Sequence, residues 1–193
     1  MEVLEAVNII LASIGDPPVT ELDTDGVSTQ AEAEAYLYRY SREVQGDGWH
    51  CNTEIITYTP NMLDQVQLGT DVLSARTTAN SASRNVAIRD NYVYDRDTNS
   101  FTITADIELQ VIKLLDFPVL PTKLAYYIAT IAAVEFQRYI KRGPFDDAMN
   151  RSRVDMAAID ARREDGEQSG RNMLNTAHAQ RIRGRRARGA PLL

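Results

Sequence analysis

The feature that most constrains the fold of this chain is one long apolar segment, TKLAYYIATIAAVEFQRYIKR, at residues 122–142. Apolar residues fall on nearly every face of a helix drawn over it, so such a helix must lie at the centre of the molecule. Pro121 suits the start of the helix, and the RGP sequence that follows ends it. Glu135 interrupts the apolar run before it reaches the roughly 18 residues that a membrane span requires. The segment therefore predicts a central helix over 121–141 in a soluble protein.

Three further segments are predicted to be helices that pack around it. Apolar residues at helical spacing predict the first helix over residues 2–14. Thr29 and Glu32 resemble a capping box, and the apolar stripe after them predicts a second helix to about Gln45. A long charged helix is predicted after the central one, with only a thin apolar stripe to bury. The stripe consists of Phe145, Met149, Met156 and Ile159.

The first of these helices is followed by an abrupt stop, Gly15-Asp16-Pro17-Pro18. Glycine just past a last helical turn adopts the left-handed conformation at little cost, so Gly15 is expected to end the helix. A residue before proline is pushed to extended geometry, which applies to Asp16. The sequence predicts a helix stop and then a stiff exit through Pro17 and Pro18.

The middle third, residues 49–117, has the character of a small β-rich unit. β-branched and aromatic residues are enriched in NVAIRDNYVYD, FTIT and IELQVIKLL, and each of these runs predicts strand. The polar stretch 74–85, SARTTANSASRN, has few residues able to anchor a core and is predicted to be a mobile loop. Trp49, the only tryptophan, follows a GDG break and is expected to pack at the junction with the helices.

The order of these elements predicts an α+β fold. Residues 1–48 and 118–165 are expected to form one helical bundle, because the amphipathic N-terminal helices need the apolar central helix as a partner. Residues 49–117 would interrupt that bundle as a β-rich insertion. Residues 166–193 are expected to form an extended, arginine-rich C-terminal arm with little core of its own.

Net charge is −6, but its distribution is uneven. No acidic residue follows Glu167, and the arm carries +6, which leaves −12 for residues 1–167. The basic residues of the arm are Arg171, Arg181, Arg183, Arg185, Arg186 and Arg188. Such an arm suits an acidic protein surface or nucleic acid, and a solvated, disordered tail has the same composition. Because the arm contains no phenylalanine, tyrosine or tryptophan, base stacking by the arm is unsupported, and docking on an acidic protein is the preferred interpretation.

One stretch has the spacing of a calcium loop. In DRDTNSFTITAD, Asp95, Asp97, Asn99 and Asp106 occupy its first, third, fifth and twelfth places. Ser100 replaces the glycine of the tight turn, and Asp106 replaces the longer bidentate glutamate. The flanking segments are also predicted strands rather than helices. We therefore interpret DRDTNS as a hairpin turn and expect no metal or cofactor.

Enzymatic chemistry finds little support. His178 lies in the arm, and His50 and Cys51 would face opposite sides if they lie on a strand. Carboxylate pairs such as Asp146 with Asp147, or Glu32 with Glu34, could catalyse glycoside hydrolysis only if the two carboxyl groups faced each other across a cleft. The single cysteine rules out an internal disulfide framework, and the chain begins without a basic-apolar leader. These features lead us to expect a non-enzymatic protein made in a reducing, intracellular setting.

Three motifs carry a resemblance to a known family. AVNIILASIGDPPVTEL near the N terminus is followed by GDGWHCNTE and later by YVYDR. Together they resemble the tail tubular protein A family of short-tailed bacteriophages, the head-to-tail adaptors beneath the portal. The resemblance covers roughly residues 3–165, and the arginine-rich arm is not part of it.

The resemblance implies a structural protein of the virion tail, assembled in the host cytoplasm and not bound to a membrane. It implies a dodecameric ring between the portal and the tail nozzle, with DNA passing through the lumen without specific binding. The helical part would pack subunit to subunit, and the β part would face tail components or tail fibres. Gly15, Pro17 and Pro18 would form a rigid corner beside a subunit interface. The role of the arm does not follow from the resemblance; its positive charge is what leads us to expect that it contacts an acidic surface of the portal. The alternatives are a nucleic-acid-binding protein that uses the arm and a carbohydrate hydrolase.

Overall fold

The computed structural model describes residues 1–22, 28–81, 84–141 and 147–168. The fold is α+β, as predicted from the sequence. The four α-helices are α1 (Val3–Ile14), α2 (Thr29–Gly46), α3 (Thr122–Lys141) and α4 (Asp147–Gln168). The five strands are β1 (Thr53–Tyr58), β2 (Val72–Thr77), β3 (Val86–Arg89), β4 (Tyr92–Asp95) and β5 (Ile107–Lys113).

The helix α3 is the centre of the helical part and packs against α1, α2 and α4. Its buried positions are mostly alanine and branched apolar residues, so neighbouring helices approach it closely on several sides. The prediction of a central helix is confirmed. None of the described helices is both long and apolar enough to cross a membrane.

The ends of α1 and α2 follow from local backbone chemistry. Gly15 has a φ of 93°, and its amide and that of Asp16 donate to the last carbonyls of α1, so the predicted helix stop is confirmed. The cap of α2 differs from the prediction. Ser28, not Thr29, is the N-cap, because its hydroxyl accepts a hydrogen bond from the amide of Ala31 at 3.2 Å.

The predicted inner face of α4 is wrong. Met149, Met156 and Ile159 are 68%, 60% and 54% exposed, and Phe145 lies outside the described residues. The residues of α4 that pack inward are Ala157 and Ala161. Small side chains let α4 lie close to α3, and this turns the larger apolar residues toward solvent.

The β unit has a core of its own. β5 is the central strand of a three-stranded antiparallel sheet, between β1 and β2. β3 and β4 form a separate hairpin whose two turn residues, Asp90 and Asn91, both have positive φ, as a type I′ turn requires. Apolar side chains of the sheet, the hairpin and the loops between them pack together. The buried members are Val66, Leu68, Val93, Ile103, Ile107, Leu109 and Val111.

Three details of the β unit differ from the predictions. Residues 74–77 are not loop but belong to β2, an edge strand with Ala75 turned toward the core and Ser74 and Arg76 toward solvent. FTIT is not a strand, because the amide of Ile103 donates to the carbonyl of a turn residue, Asp64, at 2.6 Å. Residues 50–52 form a short 3-10 turn rather than the start of a strand.

Candidate functional site

The junction between the helices and the β unit is organised around Trp49. The indole is 4% exposed and packs with the helical core. Its Nε1 donates to the carbonyl of Val44 at 2.7 Å, which satisfies the one polar atom of the ring. The ring of Tyr127 lies 6.3 Å from it, centroid to centroid, and the guanidinium of Arg162 lies 5.7 Å from the ring centroid. Trp49 thus connects α2, α3 and α4 at the point where the chain enters the β unit.

Two buried amides complete the junction. Gln45 accepts a hydrogen bond from the amide of Leu115 at 2.8 Å and donates to its carbonyl at 3.0 Å. Asn52 accepts from the amide of Trp49 at 2.8 Å and donates to the carbonyls of Gln45 and Lys113 at 3.0 and 2.8 Å. Buried side-chain hydrogen bonds therefore hold both chain crossings, the segment near Asn52 that enters the β unit and the segment near Leu115 that leaves it.

Beside the junction lies an open cleft of about 740 Å³. Its walls come from the exposed face of the sheet and from the C-terminal end of α4. Asp47, Asp165, Arg76 and Arg162 give it mixed charge, and Ile55 is 66% exposed in it. Such a surface suits contact with a polypeptide. The sequence does not predict this cleft, because no local signal connects residues so far apart in the chain.

The described residues of the junction include no activated nucleophile. His50 is exposed, and its backbone amide donates to Oδ1 of Asp165 at 2.6 Å. Burial raises the pKa of the Cys51 thiol, and the nearby carboxylates of Asp165 and Glu164 raise it further. The thiol therefore stays protonated and weakly nucleophilic near neutral pH.

The carboxylate pairs singled out in the sequence do not form a catalytic site among the described residues. Glu32 and Glu34 are two residues apart on α2 and point to different sides of that helix. Asp146 lies outside the described residues, so the pair Asp146 and Asp147 is not described.

The exit from α1 is a clamped corner. Asn8 donates to the carbonyl of Val19 at 3.0 Å and accepts from its amide at 2.8 Å. Pro17 and Pro18 lie exposed between Gly15 and this clamp. The chain after α1 is thus fixed at both ends of a four-residue segment, and prolines limit the freedom of its middle.

The calcium-like string forms the predicted turn. Asp95 ends β4 and pairs with Ser100, and its Oδ1 accepts from the amides of Asp97 at 2.8 Å and Thr98 at 3.4 Å. No group of three or more histidine, cysteine, aspartate or glutamate side chains within the described ranges is placed to hold a metal ion.

We expect this turn to weaken in acid. The amide of Asp97 and then that of Thr98 hold the pKa of Asp95 below its ordinary value of 3.8. The stability contributed by the carboxylate is fully present above the unfolded-state pKa and is lost as the pH falls through the lower folded-state pKa. An NMR titration of the side-chain carboxyls should show the midpoint of Asp95 below the ordinary value of 3.8. A midpoint at or above that value would contradict the assignment.

The described residues expose two apolar surfaces to solvent. The first is the outer side of α4, with the three exposed residues named above. The second is a turn of the β unit, where Met62 and Leu63 are 104% and 73% exposed. Oδ1 of Asn61 accepts from the amides of Leu63 and Gln65 at 2.9 and 3.0 Å, so this turn is ordered before any partner arrives.

The arm that the sequence analysis singled out lies outside the described residues. This holds for Arg171, Arg181, Arg183, Arg185, Arg186, Arg188 and His178.

Comparison with known proteins gives one positive finding. The family model for tail tubular proteins matches residues 4–181, which is most of the chain. No curated protein matches it significantly.

Proposed function

Because the chain belongs to the tail tubular protein family, a structural family of phage tails, we propose that it is the head-to-tail adaptor of a short-tailed phage. In this role it forms a ring, dodecameric by resemblance to the family, between the portal and the tail nozzle. The observation that best supports the proposal is the exposure of apolar side chains on both parts of the chain, Met156 and Ile159 on α4 and Met62 and Leu63 on the β unit. Apolar patches of this kind mark contacts with other proteins.

The mechanism is passive conduction combined with mechanical coupling of two neighbouring rings. Residues 1–167 carry a net charge of −12, which disfavours binding of DNA phosphates. DNA therefore passes through a lumen lined by these acidic residues without binding to them. The energy for ejection comes from the packaged DNA rather than from this chain. The role is structural, and it needs no catalytic residue and no cofactor.

The two parts of the chain take different partners in this proposal. The bundle of residues 1–48 and 118–165 contacts neighbouring subunits and the portal. The β unit of residues 49–117 faces the nozzle and tail fibres, with the Met62–Leu63 turn as a preordered apolar contact. The corner at Gly15, Pro17 and Pro18 loses little entropy on assembly, because it is already clamped.

The proposal is tested by electron microscopy of the purified chain with and without the portal and nozzle proteins. We expect ring-shaped particles with a central channel that join the two partners. A chain that forms no ring under any of these conditions, or that binds neither partner, would refute the adaptor assignment.

We expect the arm to fasten the ring to an acidic surface of the portal. Exposed ion pairs contribute only about 0.2–1 kcal/mol each, so the effect must be collective across arginines and subunits. Deleting residues 170–193 should leave the melting temperature nearly unchanged, weaken portal binding and reduce its salt dependence. Reversing the charge of Arg183, Arg185 and Arg186 should do the same without shortening the chain.

The two variants can be compared with the full chain by portal pull-down at low and high salt. Equal binding by all three proteins would show that the arm is a solvated tail. Strong, salt-dependent binding of DNA by the full chain, absent from both variants, would instead support the nucleic-acid-binding alternative.

A further inference from the structure

The strand β1 forms one edge of the three-stranded sheet, and part of its backbone points away from that sheet. The amide of Thr78 donates to the carbonyl of Glu108 at 3.3 Å, so the even-numbered residues of β5 direct their backbone groups toward β2. The odd-numbered residues of β5 therefore bond to their partners in β1, and the β1 residues between those partners point outward. The outward residues are Thr53, Ile55 and Thr57. Within the described part of the chain, no hydrogen bond reaches the outward backbone groups of Ile55 or Thr57.

Other edges of the β unit are covered or irregular. A neighbouring segment joins the outer edge of β4, because the amide of Val93 donates to the carbonyl of Val66 at 3.0 Å. The edge strand β2 has a register shift between Val72 and Ser74, and β3 lies beside it. By contrast, β1 pairs with β5 without a register shift and contains no proline, glycine or lysine. Natural proteins usually protect an edge of this kind, so a bare one indicates a strand that another chain covers.

The side chain at the centre of this edge is also exposed. Ile55 is 66% exposed on the outer face of the sheet, where it lines the open cleft. Thr53 and Thr57 lie two residues to either side of it and therefore on the same face. All three side chains are β-branched and uncharged, which is a composition that pairs well across neighbouring strands.

We propose that β1 of one copy of this chain pairs with β1 of a second copy, antiparallel and with a two-fold axis at Ile55. The two Ile55 residues then exchange both of their outward hydrogen bonds. The amide of each Thr57 donates to the carbonyl of Thr53 of the other copy. The two sheets become one continuous sheet with the strand order β2-β5-β1-β1-β5-β2. The inference goes beyond the proposed adaptor role and does not depend on the ring.

The side chains of the outer face match in this register. Ile55 meets Ile55 of the second copy, and on either side of this contact Thr53 meets Thr57. Cross-strand pairs of β-branched residues stabilise a sheet, and the pairing removes the exposed Ile55 of both copies from water. Charged residues of both signs line the neighbouring cleft, so the approach of a second copy does not bring together surfaces of a single sign. These residues are Asp47, Asp165, Arg76 and Arg162.

The charges of the opposite face also permit the pairing. Glu54 lies opposite Ile56 of the second copy, and the two Glu54 residues are diagonal neighbours across the axis. Each Glu54 already forms an ion pair with Lys113 of its own chain, at 2.8 Å. Lys113 lies beyond Val111, the partner of Glu54, in the direction that leads away from the axis. The ion pair thus neutralises each carboxylate and draws it away from the other.

A contact of this kind uses the same surface on both copies, so it ends after two copies. It satisfies the outward backbone groups of both strands and leaves neither copy with a bare β1 edge. The pairing therefore also prevents open-ended growth of the sheet by further chains.

The first test is disulfide crosslinking of full-length chains in which Cys51→Ala removes the native thiol. In the proposed register, the Cα atoms at position 55 are about 5.5 Å apart, which a disulfide can span. We expect Ile55→Cys to give a crosslinked dimer under mild oxidation. Arg76→Cys, an exposed position on the same face of the sheet, is the matched control. Its two copies would be five strand spacings apart, or about 24 Å, and should not crosslink.

The second test exchanges charges at the axis. Ile55→Lys and Ile55→Glu each place a charge opposite itself, so each variant alone should weaken the contact at least about tenfold. An equimolar mixture of the two variants places opposite charges together and should restore pairing. Mass is measured by light scattering after size exclusion, with circular dichroism to verify folding. The contact doubles the mass, to dimers of single chains or to pairs of rings where the ring also forms. Arg76→Glu, away from the axis, should keep the doubled mass.

Each result bears on the contact separately from the adaptor role. Equal crosslinking at positions 55 and 76, or a doubled mass that persists in both single-charge variants, would overturn the pairing of β1 with β1. A mixture that fails to regain the doubled mass would overturn the two-fold axis at Ile55. Single rings that bind portal and nozzle would leave the adaptor role standing without this contact. Paired chains that form no ring and bind neither protein would support the contact and refute the adaptor role.

Discussion

Replacing Trp49 by alanine is expected to lower the free energy of unfolding by about 3–5 kcal/mol, the range found for large-to-small changes at buried aromatic residues. The indole is almost fully buried among helices, and its removal leaves a cavity that the surrounding backbone cannot close. The carbonyl of Val44 also loses its hydrogen bond from Nε1. Because this is the only tryptophan, unfolding should be followed by far-UV circular dichroism in urea rather than by intrinsic fluorescence.

Comparing the loss of stability in Trp49→Ala with that in Trp49→Phe helps to distinguish the contribution of packing from that of the hydrogen bond. Trp49→Phe removes the Nε1 donor but only part of the ring volume, so its cost should be clearly smaller than that of alanine. A Trp49→Ala protein with the stability of the wild type would show that the side chain is not part of the core. It would also make the residue a candidate for partner contact.

Replacing Asn52 by aspartate is expected to cost roughly 3 kcal/mol or more, although the two side chains have nearly the same shape. The amide donates to the carbonyls of Gln45 and Lys113, and a carboxylate would place negative charge against both. Leaving buried acceptors without donors costs about 1–3 kcal/mol each, and burying an unpaired charge adds to this. The measurement is urea unfolding of the variant and the wild type at neutral pH.

Asn80→Asp is the matched control, because Asn80 is an exposed amide that donates to Glu108 on the surface of the β unit. Its effect should be small compared with that at Asn52, since an exposed charge remains solvated. Equal effects at the two positions would show that the change of charge, rather than the buried network, determines the result.

The parts of the fold that the sequence predicted correctly depend on local chemistry. The stop at Gly15 follows from the left-handed conformation, and the central position of α3 follows from its apolar residues on all sides. The turn at Asp95 follows from the tendency of aspartate to bond its own backbone. In each case the signal and the structure lie within a few residues of one another.

The parts that were missed depend on long-range contacts. Periodicity shows that Met149, Met156 and Ile159 share a face, but it does not show whether that face points inward. The strand β2 is polar because it lies at a sheet edge, and its identity depends on pairing with β5 more than thirty residues later. The hydrogen bonds of Gln45 and Asn52 reach residues 61–70 positions away, and no local pattern encodes them.

The two chain crossings at the junction determine how a pulling force passes through the protein. The chain enters the β unit near Asn52 and leaves it near Leu115, and the buried amides tie these two crossings to the end of α2. A load applied to the β unit is therefore shared by several hydrogen bonds side by side rather than breaking them one after another. Two hydrogen-bonded connections also restrain rotation of the β unit more than a single connection would, so we expect a force on the β unit to be passed on to the helices.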